Sequence, residues 1–314
     1  MGPTLCTRER LWGFRRDKLS TNIRRRRSRP LNGIHHRALG ATAAVRSWDA
    51  PAVVPSESPD TSTEQPEPSA RFVDRDLREA RFVRCDLSGA VLRAVDVAGA
   101  EIDAPWLLDG ESTLLVNGVD VTGFVDAELD RRMPGRALRR AEDPDGLRAA
   151  WAAVEQAWAG AVARAESMPQ GSLDASVDGE WSFAETVRHL VMATDTWVRG
   201  AVLGVERPWH PLGMPNAEYA ADGHDPSVFA PGTPPWSEVL AVRAERTALV
   251  RELLAATTAD ELDATRANPW APQYPETVRS CLHTVLEEEW EHLRYALRDL
   301  DVLAARAGER SSAG

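Results

Sequence analysis

The apolar positions of this chain change their spacing along its length, and the C-terminal half is the most regular part. Apolar residues there recur at helical intervals in four segments, each bounded by proline, glycine or a polar capping residue. The segments cover residues ~142–167, ~182–203, ~235–257 and ~277–307. We therefore predict a mainly α fold, with a four-helix bundle over residues 141–308 and a short tail over 309–314.

The second predicted helix has a well-marked start and end. Ser182 and Glu185 form an S-x-x-E capping box, and Gly204 stops the helix. Residues 204–234, which are rich in proline and glycine, then lead to the third helix. An antiparallel helix hairpin needs only a few linking residues, so this long connection predicts a crossover that can lie over one end of the bundle.

A different period precedes the helices. Apolar residues stand at strict intervals of five, at Phe72, Leu77, Phe82, Leu87, Leu92, Val97 and Ile102. Neither an ordinary helix nor a strand produces this spacing. The pattern resembles the pentapeptide-repeat family, which implies a short right-handed β-helix over residues 70–104. A structural cap or spacer is the favoured role, rather than the DNA-like surface of some larger members of that family.

Two further regions complete the predicted domain organisation. Residues 1–69 lack apolar periodicity and pass from an arginine-rich to a Pro/Ser-rich composition, which predicts a disordered tail. We assign no activity to its arginine run. Residues 105–140 are predicted to be a connector that contains a hairpin at Asn117-Gly118 and a short helix over 126–132.

Composition narrows the cellular setting and the partners. The chain has no run of 18 apolar residues, and its N-terminus lacks an apolar signal segment, so we expect a cytoplasmic protein without a membrane partner. Its three cysteines show no CxxC spacing, which argues against a disulfide framework or a zinc ribbon. The charge argues against nucleic-acid binding, because residues 1–47 carry a net charge of +10, which leaves −21 of the total of −11 on the rest of the chain.

The histidines on predicted helices point to a metal site. Glu288 and His292 are four residues apart, so they lie about 40° apart on one face of the fourth helix. His283 lies on the opposite side of that helix, which leaves His189 of the second helix as the remaining helical histidine. On spacing alone, a packed histidine and a solvated Glu/His pair are the favoured explanation of these residues, ahead of a metal site. The identity of the carboxylate is also open, because glutamates crowd the same turn at Glu287, Glu289 and Glu291.

Two imidazoles and one carboxylate would form a three-ligand site with a position left for water or substrate. Such a donor set suits Zn²⁺ best, and also Ni²⁺, Fe²⁺ or Mn²⁺. A di-metal carboxylate bundle is a weaker alternative, prompted by Glu185-x-x-x-His189, because those proteins use the shorter Glu-x-x-His spacing.

Two helical segments carry a second resemblance. Residues 181–190, WSFAETVRHL, and residues 283–292, HTVLEEEWEH, resemble the DinB-like superfamily of metal-binding four-helix bundles. This superfamily includes the mycothiol-dependent maleylpyruvate isomerases, which place glutamate first and histidine second in the fourth-helix pair. Glu288 and His292 match that order, and His189 matches the histidine of the second helix. The resemblance thus implies a divalent-metal site made by these three residues.

The resemblance also implies a chemistry. The leading hypothesis is a metal-dependent transferase or isomerase that uses mycothiol or another low-molecular-weight thiol on a small electrophile. Arg294, Arg298 and Trp197 are candidates for holding that thiol or an acidic ligand, although a packed tryptophan and a solvated arginine stripe are the favoured explanation of these residues. The alternative is a non-catalytic metal- or ligand-binding bundle fused to a pentapeptide-repeat interaction module. Expected partners are therefore a small-molecule thiol and substrate, and a homodimer is compatible with the sequence.

Overall fold

A computed structural model describes residues 71–108, 112–217 and 219–312, with side chains up to residue 309. The predicted disordered tail over 1–69 lies outside these residues. The described part divides into two compact units, with the boundary between Glu101 and Ile102. No helix within it is both long and apolar enough to cross a membrane.

The first unit, residues 71–101, repeats its backbone conformation with the period of its sequence. Positive φ angles recur every five residues, at Asp74, Glu79, Arg84, Gly89, Ala94 and Gly99. Turns recur every ten residues, each closed by a backbone hydrogen bond such as that from Ala80 N to Leu77 O (3.1 Å). No strand is assigned between residues 71 and 101, and all of these residues are exposed. The right-handed β-helix of pentapeptide repeats therefore stays a prediction.

The second unit begins with a small connector. Strands β1 (Leu115–Val116) and β2 (Val119–Asp120) pair in antiparallel fashion. Asn117 and Gly118 join them with φ angles of 51° and 82°, as a type I′ turn requires. Helix α1 (Thr122–Arg132) and a 3₁₀ turn (Arg136–Arg140) follow.

Buried ion pairs hold this connector on the helical region. Arg136 and Arg139 are almost fully buried, and both guanidinium groups bind the carboxylates of Asp126 and Asp130. Arg139 also reaches Glu287, at 3.1 Å. The connector is thus fixed to the helix that bears Glu287.

The predicted mainly α fold is confirmed, because four long helices dominate the described residues after the connector. They are α2 (Pro144–Glu166), α3 (Phe183–Thr194), α4 (Trp236–Ala256) and α6 (Val278–Ser312). A π-helix over Asp195–Val202 continues α3, 3₁₀ turns lie at Ser172–Asp174 and Pro226–Val228, and α5 (Ala259–Leu262) is a single turn. Strands β3 (Thr265–Arg266) and β4 (Glu276–Thr277) pair just before α6.

The capping chemistry explains where two of these helices begin. The Asp143 carboxylate accepts a hydrogen bond from Gly146 N, and Pro144 occupies the first turn of α2. The capping box predicted at Ser182 and Glu185 is confirmed, with the serine and glutamate side chains bonded reciprocally to the backbone.

The helices bury one continuous core between them. Helix α2 packs on α4 and α6, and α3 packs on the same two helices. The largest fully buried apolar side chains are Trp151, Trp290, Leu147, Leu190, Leu262 and Leu300. Burial of such side chains stabilises the fold by roughly 1.5–3 kcal/mol each. This packing holds α3 and α6 side by side.

Candidate metal centre

Glu288 and His292 lie one turn apart on α6 and point the same way. Nε2 of His292 is 3.1 Å from Oε2 of Glu288. Both side chains are buried, with relative exposures of 3% for His292 and 5% for Glu288. The pair therefore does not lie on a solvated helix face.

Helix α3 brings His189 to this pair. Nε2 of His189 lies 3.6 Å from Oε2 of Glu288, and the residue is 4% exposed. One ligand atom from each of the three residues lies within 4.8 Å of the others. Within the described ranges, no other group of three or more His, Cys, Asp or Glu side chains meets this criterion.

The remaining helical histidine lies elsewhere. Nε2 of His283 is 2.8 Å from the carbonyl oxygen of Ala141, next to the start of α2. Glu185, whose spacing from His189 prompted the di-metal alternative, bonds the backbone N–H of Ser182 in the capping box. Neither residue belongs to the group of three.

The electrostatics of the group keep the carboxylate charged. Burial by itself would raise the pKa of Glu288, but hydrogen bonds and the charges of His189 and His292 outweigh burial and lower that pKa to about 2. Burial, together with the charge of His189, lowers the pKa of His292, although the bond to Glu288 opposes this shift. An anionic carboxylate and a neutral imidazole are the forms that bind metal ions.

These donors fit a divalent metal. Two imidazole nitrogens and one carboxylate oxygen suit Zn²⁺ and neighbouring transition ions, and their burial lowers the competition from water. A cation would also neutralise the buried charge of Glu288, which otherwise has only imidazole partners in the group. On this chemistry, His189, Glu288 and His292 form a candidate metal site.

The long connection after α3 supplies the group that orients His189. Nδ1 of His189 is 3.0 Å from the carbonyl oxygen of Met214. A ring that donates from Nδ1 carries its lone pair on Nε2, which is the atom that would bind a metal, and such a contact is the usual outer contact of a metal-binding histidine. The backbone N–H of Met214 donates to the Arg188 carbonyl (3.1 Å), so Met214 is held to α3 by a second hydrogen bond.

Arg188 fastens this connection to α3. Its guanidinium donates to the carbonyl oxygens of Leu212 (3.0 Å), Gly232 (3.0 Å) and Ala230 (3.3 Å). Gly213 fits tightly beneath, because an added Cβ would lie 3.0 Å from the Phe229 ring and 3.2 Å from Cβ of Met192. The position of the Met214 carbonyl is therefore fixed on both sides.

The π-helix provides a second anchor for the connection. Asp195 is the first residue of the π-helix and is fully buried. Its carboxylate accepts hydrogen bonds from Arg246 Nε of α4 (2.5 Å) and from His210 N (2.7 Å). π-Helices often mark functional sites, and this one links α3, α4 and the connection through a single carboxylate.

Replacing Arg188 with methionine is expected to weaken zinc binding by about tenfold to a hundredfold, the range seen when outer-shell partners are lost. The three ligands stay in place, but the Met214 carbonyl loses its support. Competition with a chromophoric chelator measures the affinity. The control is Arg251→Gln, which removes an exposed ion pair with Glu155, and it should leave zinc affinity unchanged. Equal affinities for both variants would contradict a positioning role for Arg188.

An aromatic cover lies over the two imidazoles. The Trp181 ring centroid is 4.6 Å from that of His189 and 5.9 Å from that of His292, to which it is nearly parallel. Trp181 is part of the motif that carries the family resemblance, but no role for it could be predicted from the residues alone. The Met214 carbonyl was missed altogether, because a backbone acceptor in a loop leaves no sequence signal.

The residues predicted to hold a thiol are spread over two places. Trp197 is buried in the hydrophobic core. Arg294 and Arg298 lie on α6 just beyond His292 and pair with Asp103, at 2.8 and 3.1 Å. Contact between a thiol and any of the three stays a prediction.

Comparison with known proteins agrees with this geometry. Residues 153–296 match the model of the DinB superfamily, so the helical region contains a DinB-like domain. The matched segment begins within α2, ends within α6 and includes His189, Glu288 and His292. None of the curated proteins and none of the solved structures compared with the chain matches it. The fold and the site thus define a DinB-like domain with a candidate His/Glu/His metal centre.

Proposed function

We propose that the DinB-like domain binds one divalent metal, with zinc favoured, and acts as a metal-dependent thiol transferase or isomerase on a small electrophile. Mycothiol or another low-molecular-weight thiol would be the co-substrate. The observation that carries the proposal is the meeting of His189, Glu288 and His292, from two helices, in one buried group. Structural zinc sites usually have four protein ligands, so three support a site with room for a small molecule.

A zinc ion at this site would lower the pKa of a bound thiol and so supply a thiolate near neutral pH. The chain's own residues serve that chemistry in separate ways. His189 and His292 would each supply a nitrogen ligand, and Glu288 would supply a negatively charged oxygen ligand. The Met214 carbonyl orients the His189 ring, and Trp181 excludes water from one side of the two imidazoles.

The thiol would come from outside the described part of the chain. Cys281 is fully buried, and burial raises its pKa to about 12, so it carries little thiolate at neutral pH. Cys85 is exposed in the separate unit of residues 71–101. Neither cysteine belongs to the group formed by His189, Glu288 and His292. These placements favour a small-molecule thiol.

The test uses the full-length chain loaded with Co²⁺, whose absorption reports on its ligands. Adding mycothiol, with N-acetylcysteine as a simpler probe, should produce a sulfur-to-cobalt charge-transfer band in the near ultraviolet. The zinc-loaded chain should then turn over an electrophile only when the thiol is present. A bound metal without a thiol-dependent band would overturn the transferase or isomerase proposal.

That outcome would favour the second candidate, a non-catalytic metal- or ligand-binding bundle. The cover formed by Trp181 and the burial of all three ligands are the observations on its side. In this reading, residues 70–104 are a pentapeptide-repeat interaction module. Sedimentation of the full chain would show whether that module, or the bundle, supports a homodimer.

A further inference from the structure

One carboxylate is held by three donors at the edge of the metal centre. Oδ1 of Asp103 accepts from Arg294 Nη2 (2.8 Å) and from the Tyr295 hydroxyl (3.3 Å), and Oδ2 accepts from Arg298 Nη1 (3.1 Å). Both carboxylate oxygens are thus bound by charged donors. Two guanidinium groups and a phenol around one carboxylate form a donor set that suits any carboxylate of similar size.

These donors keep their positions through contacts that do not involve Asp103. Arg294 Nε binds Glu291 at 3.0 Å, and Arg298 Nε binds Asp299 at 2.8 Å. Both guanidinium groups also stack on the Tyr295 ring, at 4.3 and 5.0 Å from its centroid. The donor set would therefore survive the departure of Asp103, as a preorganised binding site does.

The donor set borders the metal centre. The Tyr295 ring lies 6.5 Å from the ring of His292. Arg298 also pairs with Glu180, whose neighbour in the chain, Trp181, stacks on His292. A molecule bound by the two arginines would lie near the His292 side of the group.

Asp103, by contrast, lies outside the helices. It lies in an irregular, exposed stretch at residues 101–104, outside the residues that match the DinB superfamily. Its hydrogen bonds with α6 are made by its side-chain carboxylate. A competing carboxylate would thus displace one side chain and no part of the core.

We propose that Arg294, Tyr295 and Arg298 form a binding site for the carboxylate of a small-molecule ligand, and that Asp103 is an internal ligand which that carboxylate displaces. The role of this site rests on the function proposed above, because the site would hold a carboxylate-bearing thiol or electrophile beside the metal. Asp103 then keeps the site closed until a ligand competes for it.

The test is succinate binding to the metal-free full-length chain, measured by titration calorimetry. Asp103→Ala should bind succinate about tenfold more tightly than the wild type, because the internal competitor no longer reduces the fraction of open sites. Adding Arg294→Gln to this variant should abolish the gain. Asp301→Ala is the matched control, since it removes another α6 carboxylate paired with an arginine, Arg164, and it should bind as the wild type does.

An unchanged affinity in Asp103→Ala, or a gain that persists after Arg294→Gln, would overturn the proposal. If Asp103→Ala melts at a lower temperature, Asp103→Asn keeps the side-chain shape and should show the same gain. Zinc affinity, measured on the same proteins, separates the two proposals. Zinc binding without a gain in succinate affinity would exclude only the carboxylate site. A gain in succinate affinity without zinc binding would exclude only the metal-dependent function.

Discussion

Glu288→Gln and His292→Ala should each lower the affinity for zinc more than about a hundredfold, beyond the cost of losing an outer-shell partner. Glutamine keeps the shape of Glu288 but loses its charge, and alanine removes one nitrogen donor. Chelator competition on the folded proteins gives the affinities, and circular dichroism verifies the fold.

The matched control is His283→Ala, which removes another histidine from the same helix. His283 contacts the Ala141 carbonyl and lies outside the metal group. We expect its zinc affinity to equal that of the wild type. Comparable losses of zinc affinity in all three variants would mean that zinc binds nonspecifically to histidines and not at this site.

The second large effect concerns stability. Arg243 of α4 and Glu289 of α6 form an ion pair at 2.5 Å that is buried in the bundle. Burial raises the pKa of Glu289, while the charge of Arg243 opposes that shift. Removing one partner leaves an uncompensated buried charge, so Arg243→Met should destabilise the fold by about 3–5 kcal/mol.

Denaturant unfolding measures this loss, and two further variants define its origin. The double variant Arg243→Met/Glu289→Leu should recover much of the stability, because neither charge is then left without a partner. Arg251→Gln, which breaks the exposed pair with Glu155, should cost no more than about 1 kcal/mol. A double variant as unstable as the single one would show that packing, and not charge, is responsible.

The glutamates around Glu288 show what folding adds to the sequence. The sequence left the metal-binding carboxylate open among four candidates on one turn and a half of helix. In the structure, Glu287 pairs with Arg139, Glu289 with Arg243 and Glu291 with Arg294, and Glu288 faces the two histidines. The pair of Glu291 with Arg294 follows from one turn of α6, but Arg139 and Arg243 come from other elements, and helical geometry alone does not reveal their contacts.

The helices were predictable because their signals are local. Capping residues and breakers mark the starts and ends, so α2 and α4 lie within two residues of the predicted segments. The pairing of Glu288 with His292 also follows from one helical turn. The assignment of His189 as a ligand needed the family resemblance, because the local sequence does not show which residue of α3 faces α6.

The contacts that support the site could not be predicted, because they depend on the path of residues 204–234. The Met214 carbonyl and the three carbonyls bound by Arg188 are backbone groups, and any residue type supplies them. Asp103 lies far from α6 in sequence, so its contact with Arg294 has no local signal. The π-helix also has no sequence signal, because the apolar pattern of its residues continues that of α3.

We propose that His189, Glu288 and His292 hold one divalent metal, and X-ray absorption on the zinc-loaded full-length chain tests this claim. We expect one zinc per chain and two imidazole ligands with Zn–N distances of about 2.0–2.1 Å. The His189→Ala variant should bind much less zinc, and any zinc that stays bound should show one imidazole ligand fewer. A folded wild-type chain that takes up no zinc, or a zinc spectrum that His189→Ala leaves unchanged, would contradict the claim.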